Sequence, residues 1–106
     1  MYNPLPESLT IKQSGIDGLG LFAKEGIGQG ANLGMSHVLI GSGIIRTPMG
    51  GFINHSDDAN TVKVELKING EDDPLLKVAT KKWNLVALRD IKEGVELTVR
   101  YTFYDV

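Results

Sequence analysis

The sequence predicts one small domain built mostly of β-strands, with little helix. Three observations carry that expectation. Apolar and polar residues alternate over short runs, most cleanly at residues 61–68, which is the period of a half-buried strand. Glycine-rich turn signals separate these runs, with 13 glycines in 106 residues,. No segment keeps an apolar 3.6 period over three turns, so nothing requires a long amphipathic helix. The proportions of 42% apolar and 23% charged residues belong to an ordered globular chain,. A chain of this size buries roughly 60–70% of its unfolded surface, enough for one core.

In chain order, residues 1–7 carry Pro4 and Pro6 and read as an extended lead-in. Leu9 and Ile11 alternate with Thr10 and Lys12, giving a first strand. GIDGLG at 15–20 is a turn that leads into the apolar run Leu21, Phe22, Ala23. Glycines at 26, 28, 30 and 34 forbid a stable helix there and predict turns around a short strand,. Met35 to Ile40 offers a strand and GSG at 41–43 a turn; the next residues lead past Pro48 into a polar run. In 61–68, Val62, Val64, Leu66 and Ile68 share one face, and Thr61, Lys63, Glu65 and Lys67 the other. Asn69-Gly70 is the strongest hairpin signal in the chain. Residues 75–80 and 83–88 read as two further strands, DIKEG at 90–94 as a turn. The last strand places Val95, Leu97, Val99 and Tyr101 on one face.

Several function classes are disfavoured. A net charge of −2 leaves no basic footprint, which argues against nucleic acid as the main partner,. There is no cysteine, hence no disulfide and no thiolate metal site,. His37 and His55 have no ligand spacing such as HExxH, so no metal is expected. No apolar run approaches the ~18 residues of a membrane span, and no signal peptide is visible at the N-terminus. A soluble intracellular protein is expected.

The most concentrated chemistry lies in GFINHSDDAN at 51–60. Asn54, His55, Ser56, Asp57, Asp58 and Asn60 put six hydrogen-bonding side chains into seven positions. Such a run is either a solvated loop or, following Phe52 and Ile53, a polar segment at the core's edge whose members need partners. Gly18-Leu19-Gly20 allows close backbone approach to a ligand, or simply turns a hairpin. His55 and Ser56 are adjacent and do not form a nucleophile pair, and no GxSxG elbow exists. Tyr101 and Trp83 read by pattern as core aromatics with satisfied polar atoms. Asp57-Asp58 and Glu71-Asp72-Asp73 read as solvated acidic turns, a charge that also attracts lysine-rich peptides.

Order adds what single sites lack. GLGLFA at 18–23, FINHS at 52–56 with Asn60, and IKEGVELTVRYTFY at 91–104 follow one another as the motifs of SET domains do. The chain thus resembles the SET family over residues 15–104, within a single domain spanning 1–106. The resemblance implies small β-sheets of the β-clip type closed by a C-terminal pseudoknot. It implies an S-adenosylmethionine-dependent protein-lysine methyltransferase acting on a lysine-bearing protein or peptide. Carried onto this chain, it implies cofactor contacts at Gly18, Leu19, Gly20, Asn54, His55 and Tyr104. Asn54 serves the amino-acid end of the cofactor and His55 the region near adenine. Tyr101 takes the place of the active-site tyrosine, and Val99 and Phe103 wall the lysine channel. Glu96, Leu97 and Thr98 belong to the motif that threads beside FINHS, about forty residues away.

Departures accompany the match. Members often read NHSCxPN, whereas Asp57 replaces the cysteine and Ala59 the proline. The glutamate-tyrosine element usual after the first motif has no clear match around Met35 to Val38, and the following insert is short. Only Asp105 and Val106 follow Tyr104, so the segment that usually closes the lysine channel is expected to be absent. Phe103 and Tyr104, or a second copy of the chain in a homodimer, are expected to complete the site. The alternative function is a SET-like module that binds cofactor or protein without turnover.

Overall fold

The computed structural model describes residues 5–67 and 79–101. The strands are β1 (Leu9–Gln13), β2 (Leu19–Ala23), β3 (Asn32–Ile40), β4 (Gly43–Arg46), β5 (Asn54–His55), β6 (Thr61–Lys67), β7 (Ala79–Ala87) and β8 (Glu96–Val99), with one short helix, α1 (Pro48–Phe52), before β5. They form an open sheet in the order β1-β2-β8-β6-β7-β3-β4, with β5 attached to β8 off this path. The mostly-β, helix-poor architecture is the one the sequence predicts.

Local chemistry accounts for most elements. β1 and β2 are a hairpin closed by residues 14–18, where the Ser14 amide donates to the Gly18 carbonyl at 2.8 Å. The glycine-rich stretch after β2 makes only an isolated bridge, Ile27 to Ile91. β8 differs from the other strands because it is inserted last, between β2 and β6, with β5 alongside. It is therefore paired along both edges, and Leu97, Thr98 and Val99 are all buried. The core gathers Leu9, Leu21, Leu33, Met49, Leu85 and Leu97 among others, with Tyr101 packed against it.

Three elements depart from the sequence reading. The strands expected at 75–80 and 83–88 are, over their described residues, one continuous strand β7, because Lys81 and Lys82 keep full register with β6 and β3. β4 and α1 occupy a stretch read only as a connection. α1 forms despite two glycines because Thr47 caps it, accepting from the Gly50 amide, and Pro48 opens its first turn,. Gly50 is required by packing: a Cβ there would collide with the carbonyl of Ser36. In β6 the apolar row is the outer one, with Val62 and Val64 39% exposed and Leu66 40%, while Thr61 is buried. The Asn69-Gly70 turn lies outside the described residues, as does Ile68.

His37 is only 2% exposed. Its Nδ1 lies 2.8 Å from Ser36 Oγ, whose hydroxyl donates to the Trp83 carbonyl at 3.1 Å. Nδ1 therefore carries the proton, and Nε2 is buried without a partner among the described residues. Burial first, then the positive charges of Lys63 and Arg46, lowers the imidazole pKa from 6.5 to about 4. The unfolded chain binds this proton more readily than the folded one. Stability is thus complete above the unfolded value and is lost as pH falls from about 6.5 towards 4,. At pH 5 the loss amounts to about 2 kcal/mol. Melting temperatures between pH 7.5 and 5 are expected to fall less in His37→Gln than in the native protein. Parallel profiles would assign the acid sensitivity to other groups.

Candidate active site

The site is built where the polar run crosses the last strand. Asn54 and His55 pair in parallel with Thr98 and Val99 on one side of β8, while Thr61 pairs in parallel with Val99 on the other. Residues 56–60 therefore bridge over β8, and the strand is threaded beneath them. Asn60 makes this bridge rigid. Its side-chain oxygen accepts from the Thr98 amide at 2.8 Å, its amide group donates to the Glu96 carbonyl at 2.9 Å, and its backbone amide donates to Thr98 Oγ1 at 3.3 Å. Thr61 Oγ1 adds a bond to the Thr98 carbonyl at 2.7 Å. A buried side chain here acts as a substitute strand edge.

On one side of this crossing, Asn54 faces the β1–β2 turn. Its Nδ2 lies 2.9 Å from Glu96 Oε2, 3.1 Å from Ser14 Oγ and 3.1 Å from the Asp17 carbonyl, with the Leu19 carbonyl at 3.5 Å. Ser14 Oγ is 2.8 Å from both oxygens of Glu96 and accepts from the Ile16 amide at 2.9 Å. Gly20 is needed for this packing, since a Cβ there would strike Glu96 Oε2. Gly18, Leu19, Gly20 and Asn54, singled out by sequence, are thus brought together.

On the other side lies His55. The Tyr101 amide donates to His55 Nδ1 at 2.9 Å, so Nε2 carries the proton and donates to Asp57 Oδ1 at 3.0 Å. Both ring nitrogens are engaged within the protein, which leaves the ring face and backbone of His55 for any ligand. The rings of His55 and Tyr101 meet at 5.1 Å between centroids, inclined by 58°. The Tyr101 hydroxyl donates to the Ile53 carbonyl at 2.8 Å. A cleft of about 350 Å³ opens where β6 and β8 diverge, lined by Asp57, Ala59, Val62, Leu88, Val99 and Arg100 among others. Val99 belongs to its wall and Tyr101 does not. Phe103 and Tyr104 lie outside the described residues.

The sequence reading gives Ser14 no role, reads Asp57 as part of a solvated acidic turn and treats Glu96 only as a motif neighbour. A serine just before a glycine turn is a recognisable turn-capping signal. No pattern in the sequence marks Glu96, whose 82-residue separation from Ser14 is bridged only by the threading.

The crossing of a bridged loop over a threaded strand, with a polar cluster against a glycine turn on one side and a cleft on the other, defines a small strand-threaded β domain. The family model described as SET domain matches residues 38–102, and the chain belongs to the SET domain family. No curated protein sequence matches it significantly. Among solved structures it is similar to a Plasmodium falciparum protein assigned as a histone methyltransferase, at 19% identity and a TM-score of 0.73, with 94% of this chain and 97% of that chain covered. It is also similar to Polycomb Repressive Complex 2 from Chaetomium thermophilum bound to S-adenosylmethionine, at 20% identity and a TM-score of 0.67. That match covers 89% of this chain but only 15% of the other, much larger one. At these identities the likeness is one of fold.

Proposed function

We propose that this chain is an S-adenosylmethionine-dependent protein-lysine methyltransferase acting on an intracellular protein. The observation that carries the proposal is the threading of β8, which gathers the glycine turn, Asn54, His55 and Tyr101 around one crossing in a SET domain. The residues present fit the cofactor. The turn offers close backbone approach, Asn54 retains an open oxygen, and the His55 ring face is tied beside Tyr101.

Bound S-adenosylmethionine supplies a methyl group already activated on a sulfonium, so the protein needs little acid–base apparatus. In this reading Gly18, Leu19, Gly20 and Asn54 hold the amino-acid end, and His55 with Tyr104 flanks the adenine. A free lysine amine has a pKa of ~10.4 and must lose its proton before it attacks. An apolar wall at Val99, with Phe103 proposed to extend it, disfavours the ammonium form and aligns the nitrogen,. Tyr101 donates its proton to the Ile53 carbonyl, which fixes the position of the hydroxyl oxygen, and in this reading that oxygen orients the amine,. The proposal does not rest on a second copy of the chain, for which the comparisons offer no support.

That same engagement of the Tyr101 hydroxyl also favours a second reading, a SET-like module that binds cofactor without turnover. S-adenosylmethionine is expected to raise the melting temperature, as binding to the folded state alone requires. A protein that shows no shift at millimolar cofactor, by fluorimetry and calorimetry alike, is not a cofactor-dependent enzyme. Transfer of labelled methyl groups to lysines in a cell extract, located by peptide mapping, separates the enzyme from the binding module.

A further inference from the structure

We infer that Glu96, together with Ser14, is a positioning residue that locks the Asn54 side-chain amide with its oxygen outward, to receive the α-ammonium of the cofactor. The inference rests on the proposed cofactor and deepens it. The hydrogen-bond partners of Asn54 Nδ2 are Glu96 Oε2, Ser14 Oγ and the carbonyls of Asp17 and Leu19. A carboxylate and a carbonyl only accept hydrogen bonds. Turning the amide over would set Asn54 Oδ1 against the Glu96 carboxylate and two carbonyls, so the orientation is determined by chemistry.

The consequence falls on the other atom. Asn54 Oδ1 bonds to no described residue and is not among the buried unpaired atoms, so it reaches solvent. A carbonyl oxygen pairs only with a donor. At the amino-acid end of the cofactor the ammonium is the donor and the carboxylate is not, so the locked amide selects the ammonium. Ser14 completes the lock. Its single hydroxyl proton is shared between the two Glu96 oxygens, each at 2.8 Å, while the Ile16 and Asp17 amides donate to its oxygen. The turn that contacts the cofactor thereby also sets the reach of Asn54. The absence of a Cβ at Gly20 leaves the Glu96 carboxylate its place.

The test uses calorimetry on the whole chain with two probes, S-adenosylhomocysteine and its analogue lacking the α-amino group. Glu96→Gln is expected to weaken S-adenosylhomocysteine about tenfold, the scale of one charge-assisted hydrogen bond, and to leave the analogue's affinity unchanged. Ser14→Ala is expected to act in the same direction and keeps the test open if Glu96→Gln does not fold. In an Asn54→Ala background, Glu96→Gln is expected to add no further loss, because the carboxylate acts through the amide. Equal weakening of both probes, or a loss that persists without Asn54, would overturn the inference. A native protein that binds neither probe overturns the cofactor reading itself, a result distinct from binding that ignores the ammonium.

Discussion

Tyr101→Phe is expected to lower the rate of methyl transfer by about 100-fold or more, with cofactor affinity changed by no more than about threefold. The substitution removes a single oxygen and keeps the ring that meets His55 at 5.1 Å. The backbone amide of residue 101 still donates to His55 Nδ1, so the placement of His55 is undisturbed. What disappears is an oxygen held in place by its own donation to the Ile53 carbonyl. Losing that bond costs about 1 kcal/mol of stability, a few degrees in melting temperature for a domain of this size. Single-turnover rates and cofactor titrations on the same preparation distinguish the effects. Transfer at the native rate removes Tyr101 from the catalytic role, and a parallel collapse of cofactor affinity makes its role structural.

Asn60→Ala is expected to destabilise the fold by about 3 kcal/mol and to lower the melting temperature by roughly 10–20 °C. Alanine leaves the Thr98 amide and the Glu96 carbonyl unpaired in the middle of the knot, and buried orphans of that kind cost about 1–3 kcal/mol each,. Asn60→Asp is the informative companion. It keeps an acceptor for the Thr98 amide but sets a carboxylate oxygen against the Glu96 carbonyl and buries a charge, so at neutral pH its cost is at least as large as that of alanine,. Because β8 carries Glu96 and leads into Tyr101, loosening it is also expected to weaken binding of the proposed cofactor. A melting temperature within about 2 °C of the native value would mean that the bridge is held by the strand pairings alone.

The order of motifs in the chain made the family legible, and the alternating runs made most strands legible, because both are local properties. The prediction that FINHS and the last strand touch was an implication of that order, and the parallel pairing of Asn54 with Thr98 shows the contact. Thr61–Lys67 was readable as a strand, but not which face lies inward. Alternation marks two faces, and the neighbouring elements decide which of them is covered. β4 and α1 were illegible for a similar reason: glycines at 50 and 51 argue against helix, and only the fold shows that Gly50 is there for its close approach to Ser36, while nothing crowds Gly51.

The sequence by itself determined that this chain is a mostly-β SET domain and that Asn54, His55 and Tyr101 belong to one constellation. Tertiary structure alone decided how they are aimed. Passing β8 beneath residues 56–60 places the Glu96 carboxylate on the Asn54 amide and the Tyr101 amide on the His55 ring. It thereby turns the Asn54 amide nitrogen inward and engages both ring nitrogens of His55. Hydrogen-bond direction depends on which groups the threading brings within about 3 Å, and no spacing along the chain encodes that.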